Sequence, residues 1–180
     1  EPEIAQAVVE LAAHWGRSVT PAPCVCCGRP LISKGFLDEA VRQAERVTRA
    51  LLPLAAARQP IVFCEPSCLS AVREDAPALL SGEARERALA VARASVLFEE
   101  YAESLGPRVS LRSGPARVLL HGHCHQKSMG LLPPARTLLS KIPGTTVVDP
   151  DAGCCGMAGS FGYDRSHYDV SRAIGERKLF

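Results

Sequence analysis

The triplet Cys-Cys-Gly occurs twice in the chain, at Cys26-Cys27-Gly28 and again at Cys154-Cys155-Gly156. A disulfide between adjacent cysteines is strained, so the members of such a pair rarely bridge to each other. Two adjacent thiolates can instead bind or bridge more than one iron, and the glycine lets the backbone wrap closely around a bulky group. A single pair is also compatible with two small thiols buried in a core. The recurrence of the complete triplet favours a metal or thiol redox site.

Eight cysteines in 180 residues are a high count, and they are unevenly distributed. They lie next to one another or beside histidines, whereas long helical stretches contain none. In a small secreted protein this count would predict disulfides, but such clustering is more typical of a metal site or a thiol redox centre. We therefore expect a reducing, cytoplasmic compartment, with peripheral attachment at the inner face of the membrane as the alternative.

The charge of the chain is nearly balanced, with 21 Lys and Arg against 19 Asp and Glu. Neither this balance nor an aromatic content of 5% is typical of a protein that binds nucleic acid. We expect no membrane span, because no apolar run reaches ~20 residues, and no signal peptide. Three basic residues adjoin the cysteine clusters and either offset thiolate charge, bind an acidic group or are ordinary surface charges: Arg29, Lys34 and Lys127.

Two further cysteines follow the short apolar run at residues 61–63, which predicts a buried strand. They are Cys64 and Cys68, and Pro66 between them favours a turn that brings both sulfurs to one side. The helix that we expect to begin here would stabilise the Cys68 thiolate at its positive end. Glu65 is either a ligand, a proton relay or the cap of that helix, and we favour the cap.

A dense group of ligand-type residues, His121, His123, Cys124 and His125, follows another apolar run. If this segment is extended, alternate side chains point to opposite faces, so Cys124 cannot share a face with both His123 and His125. If Cys124 faces the site, His121 or His125 is then a hydrogen-bond donor near the site, a hydrogen-bonding residue at the strand end or a proton carrier. A Cys-His hydrolase pair is the less favoured alternative, because it leaves the other seven cysteines unexplained.

Glycines recur after the second triplet, at Gly156, Gly159 and Gly162. Their backbone N–H groups are expected to point at sulfide or thiolate, which raises the reduction potential of a cluster. The spacing lacks the Gly-x-Gly start of a dinucleotide-binding loop. Asp149 and Asp151, which precede the triplet, are expected to form a turn rather than to act as catalysts.

Apolar spacing predicts helices over residues 3–15, 36–52, 83–105, 127–141 and 163–179, buried strands at 61–63 and 118–120, and a further strand at 145–148. We expect Pro53 to kink or end the second helix, Gly106-Pro107 to stop the third, and Pro133-Pro134 to interrupt the fourth. The alternation predicts an α/β fold with short, mostly parallel strands and flanking helices. Ligands in such folds bind at the ends of strands, so the cysteine clusters should lie along one rim.

A loop rich in Ser, Gly and Pro at residues 110–115 predicts a boundary between two modules, residues 1–109 and 110–180. Each module has a Cys-Cys-Gly triplet and a cysteine at the end of an apolar strand, in opposite order. We interpret them as two related modules that face a shared site. Because the chain opens on a helix, we expect a strand of the first module to be missing.

With these residues in view, the chain resembles the cysteine-rich CCG domain family. Four stretches carry the resemblance, and they are CCGRPLISKGFLDEA, EPSCL, HGHCHQKSM and DAGCCGMAGSFGYD. The family includes one subunit of heterodisulfide reductase and the iron–sulfur subunits of glycolate oxidase, lactate oxidase and anaerobic glycerol-3-phosphate dehydrogenase. The chain is most similar to the C-terminal part of large bacterial proteins that join a flavin-binding oxidase, a ferredoxin-like segment and this domain, some described as D-lactate or D-2-hydroxyglutarate dehydrogenases.

The family module has a leading cysteine, then Cys-Cys-Gly, then a closing Cys-x-x-Cys, and two such modules can each bind a non-cubane four-iron cluster. This chain lacks the leading cysteine, has three residues between Cys64 and Cys68, and has no closing pair in its second module. One shared cluster of the 4Fe-4S type is therefore expected, with Cys24 and Cys64 dispensable. The resemblance implies six metal ligands, Cys26, Cys27, Cys68, Cys124, Cys154 and Cys155. Five further residues are expected to line the cofactor, namely Gly28, Gly156, Gly159, His123 and His125.

The resemblance implies an electron-transfer domain of a flavin-linked 2-hydroxy-acid dehydrogenase. FAD and a ferredoxin-like cluster would belong to other domains of the same parent protein, and this domain would pass electrons to a quinone or to another protein. The isolated chain should not oxidise substrate. The alternatives are a structural zinc module that docks the flavin domain and a metal-free dithiol–disulfide redox domain. Zinc is also expected as a substitute for iron after aerobic purification.

Overall fold

The computed structural model describes residues 2–106 and 109–179. Their contacts divide the chain into two compact units, residues 1–110 and 111–180, here called unit 1 and unit 2. Each unit contains its own pair of parallel strands. The predicted α/β class with short parallel strands and flanking helices is confirmed.

Unit 1 begins with α1 (Pro2–His14), followed by α2 (Arg29–Ser33) and α3 (Leu37–Ala56). The residues between α1 and α2, which include the first triplet, have no regular secondary structure. Of the two expected effects of Pro53, a kink or an end of the helix, the second is wrong, because α3 continues for three residues beyond this proline. The missing N–H of Pro53 costs the helix one bond, but the carbonyl of Pro53 still accepts from the N–H of Ala57 at 3.1 Å.

The two strands of unit 1 are β1 (Ile61–Phe63) and β2 (Ser95–Leu97), which pair in parallel. After β1 the chain forms α4 (Pro66–Ser70), a π-helical segment (Ala71–Asp75) and α5 (Ala76–Leu79). Helix α6 (Gly82–Ala94) leads into β2, and α7 (Phe98–Ser104) follows it.

The continuous helix expected over residues 83–105 is therefore wrong, because β2 divides it. Two side chains stabilise this break. The hydroxyl of Ser95 donates to the carbonyl of Val91 at 2.8 Å, and the carboxylate of Glu100 accepts from the N–H of Leu97 at 2.8 Å. Pairing with β1 overrides the helical spacing of the apolar residues. Helix α7 ends at Ser104, and Pro107, part of the expected stop signal, lies outside the described residues.

The core of unit 1 joins α3, the strand β1, the π-helical segment and α6. Its central members are buried apolar side chains, Val47, Leu51, Ile61, Val72 and Val91. The guanidinium of Arg73 adds a polar link, since it donates to the carbonyl of Ser95 at 2.6 Å and pairs with Glu100 at 3.0 Å. This packing fixes the segment that follows β1 against the rest of unit 1.

In unit 2, β3 (Arg117–Leu119) pairs in parallel with β4 (Thr146–Val148). Helices α8 (Cys124–Ser128) and α9 (Leu132–Ser140) lie between them in the chain, and two short 3₁₀ turns and α10 (Tyr168–Gly175) follow β4. The strand predicted at 118–120 is present as β3, but the prediction that it is buried is wrong, because Leu119 is 65% exposed.

The helices of unit 2 are shorter than expected. The predicted helix at 127–141 is two helices, and the break lies at Gly130, whose φ is +70°, rather than at the prolines. Pro133 and Pro134 instead occupy the first turn of α9, where a missing N–H costs nothing. Of the helix expected over 163–179, only α10 is α-helical, and its apolar residue Val170 is exposed.

Within the described residues, no helix has the length and apolar character that crossing a membrane requires.

The strand assignment of β2 predicts an unequal response to two Leu→Ala substitutions in unit 1. Leu97→Ala should lower the free energy of unfolding by about 2–5 kcal/mol, because Leu97 is 1% exposed and its removal leaves a cavity beside β1. The matched control, Leu37→Ala, removes a side chain that is 54% exposed and should cost less than about 0.5 kcal/mol. Urea unfolding measures both, and equal losses would contradict the buried position of Leu97.

Candidate functional site

The first triplet forms a tight turn that directs a backbone N–H at a sulfur. The N–H of Gly28 lies 3.4 Å from Sγ of Cys26, and Gly28 adopts φ +85° at the start of α2. The amide side chain of Gln43, on α3, donates to the carbonyl of Cys26 at 2.6 Å. Cys26 is exposed, Cys27 is half-buried and Gly28 is buried. The turn therefore exposes the Cys26 thiol and leaves the Cys27 thiol half-buried beside an anchored glycine.

The second triplet adopts the same local structure. The N–H of Gly156 lies 3.3 Å from Sγ of Cys154, and the φ of Gly156 is +83°. Cys154 is exposed, Cys155 is half-buried and Gly156 is buried, in the same order as in the first triplet. The expectation of an N–H aimed at sulfur holds at Gly156, but it is wrong at Gly162, whose N–H donates to the carbonyl of Met157 at 3.0 Å.

Close packing against α10 explains why the second triplet ends in glycine. A Cβ on Gly156 would lie 2.0 Å from the carbonyl oxygen of Ser171. The hydroxyl of Ser171, a buried residue, donates to the carbonyl of Gly156 at 2.9 Å. Backbone freedom and space are thus both required at this position.

Unit 1 brings two sulfurs from distant parts of the sequence into contact. Sγ of Cys27 and Sγ of Cys68 are 3.2 Å apart and hydrogen-bonded. Cys68 lies on α4, whose start is capped by the carboxylate of Glu65, which accepts from the N–H of Ser67 at 3.1 Å and from its hydroxyl at 2.8 Å. The preferred interpretation of Glu65 as a helix cap is confirmed.

The pair holds one thiolate and one thiol. The hydrogen bond from Cys68, together with a smaller contribution from the positive charge of Arg29, lowers the pKa of Cys27 to about 6. The same contact, followed by burial, raises the pKa of Cys68 well above the usual range of thiols. Cys27 is therefore the sulfur of this pair that carries negative charge at neutral pH, and the expectation that the start of the helix stabilises a Cys68 thiolate is wrong.

These sulfurs border a cavity of about 510 Å³ in unit 1, which is lined mainly by apolar side chains such as Val25 and Phe63. Four cysteines contribute to the lining, and they are Cys26, Cys27, Cys64 and Cys68. Partial burial and the nearby Glu99 raise the pKa of the Cys64 thiol. Sequence reasoning set Cys64 aside because its spacing departs from the family pattern. Its position on the cavity could have been inferred from its place directly after β1.

The strands form two separate pairs, so the expectation of one rim for all the cysteine clusters is wrong, but within unit 2 the ends of two strands lie side by side. The parallel strands β3 and β4 run side by side, and Cys124 follows the first whereas Cys154 and Cys155 follow the second. Burial raises the pKa of Cys124, and the neighbouring Cys154 and Cys155 raise it further, because the charged form of an adjacent thiol would repel a negative charge on Cys124. Three thiols of unit 2 therefore lie close enough to interact electrostatically.

The histidines beside Cys124 stabilise the start of α8. Nδ1 of His123 accepts from the N–H of His125 at 3.2 Å, and the two rings stack with centroids 5.5 Å apart. The expectation that residue faces alternate through Cys124 and His125 is wrong, because α8 begins at Cys124 and the extended segment ends before it. His121 is exposed. A role of His123 and His125 in binding a cofactor stays a prediction.

Charged residues flank both triplets. Arg29 pairs with Asp75, and Lys127 donates to the carbonyls of Ala152 at 2.7 Å and Gly153 at 3.5 Å. Lys34 lies at the C-terminal end of α2 and is exposed. The expected turn before the second triplet is confirmed, because the carboxylate of Asp149 accepts from the N–H of Asp151 at 2.9 Å.

The type of side chain present fits iron or zinc, because each unit contains closely spaced thiols and, in unit 1, Cys27 is a thiolate at neutral pH. The described parts of the chain do not contain three or more His, Cys, Asp or Glu side chains grouped closely enough to hold a metal ion. The cysteine thiols therefore have the right chemistry for iron or zinc. Binding of a cluster would bring further cysteines closer to the metal than they lie here.

The packing of the second triplet predicts that two glycine substitutions differ in cost. Gly159→Ala introduces only the strain of a positive φ, since the space around it is open, and should cost about 1–2 kcal/mol. Gly156→Ala adds a clash with the backbone of Ser171 and should cost at least about 3 kcal/mol. Thermal unfolding followed by circular dichroism compares them, and equal shifts would contradict the close approach of α10.

The thiolate of Cys27 predicts selective alkylation of the metal-free chain. With a pKa of about 6, the Cys27 thiolate outnumbers the thiol by about ten to one at pH 7, so its reaction with iodoacetamide should be half-maximal near pH 6. Cys64 is more exposed but has a raised pKa, so it should react more slowly at pH 7. Peptide mass spectrometry reports both. In the control Cys68→Ser the half-maximal pH of Cys27 should rise, and a profile unchanged from wild type would contradict the paired assignment.

Comparison with known proteins identifies related chains. Residues 118–179 match the model of the CCG family, described as a cysteine-rich domain. The chain is 31% identical over 152 residues to one subunit of the anaerobic glycerol-3-phosphate dehydrogenase of Escherichia coli, a match that covers 83% of the chain and 38% of the relative. It is 27% identical over 182 residues to D-2-hydroxyglutarate dehydrogenase of Pseudomonas putida, covering 98% of the chain but 17% of the relative.

A third relative is matched over most of its own length. The chain is 30% identical over 168 residues to lactate utilization protein A of an Exiguobacterium species, which covers 89% of the chain and 67% of the relative. No solved structure matches the chain. The match to the family model and the extent of this third alignment show that the chain belongs to the cysteine-rich CCG domain family.

Proposed function

We propose that the chain is an electron-transfer domain that binds an iron–sulfur cluster through its paired cysteines. The observation that carries the proposal is the recurrence of one local structure at both triplets, with a glycine N–H aimed at the first sulfur and a second thiol beside it. Hydrogen bonds from backbone N–H groups to thiolate sulfur stabilise the reduced state of a cluster. Two turns of this kind suit a centre that gains and loses electrons.

In unit 1 the pair at Cys27 and Cys68 is already singly deprotonated at neutral pH, so cluster binding there would release one proton fewer than binding to neutral thiols alone. The apolar lining of the adjoining cavity would keep water from the cluster. When bound, the cluster supplies reversible one-electron transfer. We propose the 4Fe-4S type, with a non-cubane form as an alternative, and zinc as a substitute when iron is absent.

The wider role proposed for the parent protein is oxidation of a 2-hydroxy acid through a flavin. Two of the relatives named above are dehydrogenases by name, and a third is named for lactate utilization. The chain spans less than two fifths of the two dehydrogenase relatives, which leaves most of each for other domains. FAD and a ferredoxin-like cluster would lie in such domains, and the electron acceptor would be a quinone or another protein.

Anaerobic reconstitution with iron and sulfide tests the proposal. The reconstituted chain should contain iron and sulfide, absorb visible light and give an electron paramagnetic resonance signal in one oxidation state. A colourless chain that retains zinc but no sulfide would instead support the structural zinc module, because zinc sites do not absorb visible light.

Substitution of single cysteines tests the predicted ligands and the shared cluster. If one cluster uses cysteines of both units, Cys27→Ser and Cys155→Ser should each remove all iron. If each unit binds its own cluster, each substitution should remove about half of the iron. Cys24→Ser is the matched control and should retain full iron content. Equal iron content in all three variants would contradict the assignment, and a loss in Cys64→Ser would show that this cavity-lining residue is also a ligand.

One observation favours a second candidate, the metal-free dithiol–disulfide domain. The sulfurs of Cys27 and Cys68 are in contact, and the first is a thiolate at neutral pH. This function predicts redox activity in the chain stripped of iron, with loss of two free thiols on oxidation. Electron transfer that requires iron would exclude it.

A further inference from the structure

Arg29, the residue directly after the first triplet, reaches across to the segment that carries Cys68. Its Nε donates to the carbonyl of Ser67 at 3.4 Å, and its Nη2 donates to the hydroxyl of Ser70 at 2.8 Å and to the carboxylate of Asp75. The side chain of Arg29 is 17% exposed and that of Asp75 is 30% exposed. The guanidinium is therefore a partly buried cation with a built set of acceptors.

These contacts join the same two segments that supply the paired sulfurs. Arg29 follows Cys27 by two residues, and Ser67 directly precedes Cys68. The 3.2 Å separation between the two sulfurs thus lies beside a link formed by the guanidinium. The planar guanidinium of arginine has several donors and so fixes the orientation of the two segments as well as their distance, whereas the flexible ammonium of lysine fixes only the distance.

The partners of Arg29 are fixed by an irregular stretch of helix. Ser70 is 3% exposed and ends α4, and Asp75 ends the π-helical segment that follows it. Single π-helical turns inside helices are often found at functional sites. Here the wider turn places a hydroxyl and a carboxylate on the side that Arg29 reaches.

Unit 2 contains a second cation in an equivalent role. Lys127 lies on α8, which begins at Cys124, and its Nζ donates to the carbonyls of Ala152 and Gly153, directly before Cys154. A Cβ on Gly122 would lie 3.2 Å from Cε of Lys127, so the local backbone leaves room for this side chain. In each unit a cation therefore links the triplet to the helix that carries the other cysteine.

We propose that Arg29 and Lys127 are positioning residues that hold the paired thiols of their units in the arrangement a cluster needs. This inference deepens the proposed function and rests on it for the role in the loaded protein. The link between segments is a property of the chain itself, so it can be measured without iron.

The first experiment uses the iron-free, fully reduced chain equilibrated with oxidised and reduced glutathione. Cys27 and Cys68 lose two electrons and two protons as a disulfide forms, and one oxidised glutathione is reduced to two thiols. The equilibrium constant reports how well the two thiols are positioned. Arg29→Met should lower the equilibrium constant for disulfide formation about tenfold, and Arg29→Lys should give an intermediate value. The control Arg42→Met, which removes an exposed arginine, should leave the constant unchanged.

A folding defect is controlled by a variant that removes both charges. In Arg29→Met the carboxylate of Asp75 remains charged but has lost its cation. In Arg29→Met/Asp75→Asn neither side chain is charged, so no unpaired charge remains. If Arg29 and Asp75 act together as an ion pair, the double variant should lose no more disulfide stability than Arg29→Met alone. Wild-type equilibrium constants in Arg29→Met, with native circular dichroism, would overturn the positioning role of Arg29.

The second experiment uses the reconstituted chain. Arg29→Met should bind iron about tenfold more weakly, in line with other residues that orient metal ligands, and any remaining cluster should have a lower midpoint potential because a nearby positive charge is lost. Arg29→Lys should restore the potential but only part of the affinity. Lys127→Met should weaken iron binding in the same way, whereas the control Arg136→Met, on the exposed side of α9, should not.

The outcomes separate the two ideas. A wild-type chain that binds no iron contradicts the proposed function, while the glutathione equilibrium still decides the role of Arg29. A wild-type chain that binds iron, with unchanged affinity and potential in Arg29→Met and Lys127→Met, overturns the inference and leaves the proposed function intact.

Discussion

The hydrogen bond from a glycine N–H to the sulfur two residues earlier is the constraint around which each unit is arranged. In both triplets the glycine has a positive φ, which only glycine adopts without strain, and the hydrogen bond fixes the first sulfur by backbone geometry. Gln43 holds the first turn from α3, and Ser171 holds the second from α10. Helices that differ in sequence and position therefore support the same turn.

In both units cysteines from separate segments lie near a Cys-Cys-Gly triplet, but the order of these segments along the chain differs between the units. In unit 1 the triplet precedes β1, and Cys68 arrives on the helix after that strand. In unit 2 Cys124 arrives after β3, and the triplet follows β4. The common requirement is that thiols from separate segments meet, and each unit contains a cation that bridges those segments. This agreement in local chemistry, despite the reversed order, supports the interpretation that the cysteines serve the same kind of centre.

Much of this arrangement follows from residue pattern alone. The triplets, the strands at β1 and β4, the Glu65 cap and the Asp149 turn depend on short-range rules, and the sequence predicts them. The strand β2 was missed because Val96 and Leu97 continue the helical spacing of α6, and only pairing with β1 distinguishes them. Contacts between distant residues, such as that of Arg29 with Asp75, leave no local signal. Cys64 was set aside on spacing alone, although it follows the same strand as Cys68.

The π-helical segment at Ala71–Asp75 has a consequence for how this stretch can vary in length. Loss of one residue there would restore regular α-helical hydrogen bonding and would rotate everything after it by about 100° around the helix axis. The carboxylate of Asp75 would then turn away from the guanidinium, although every other residue of the stretch remained. The extra residue thus sets the rotation of Asp75 about the helix axis. A change in the length of this segment would therefore disturb the contact with Arg29 more than most side-chain substitutions in the segment.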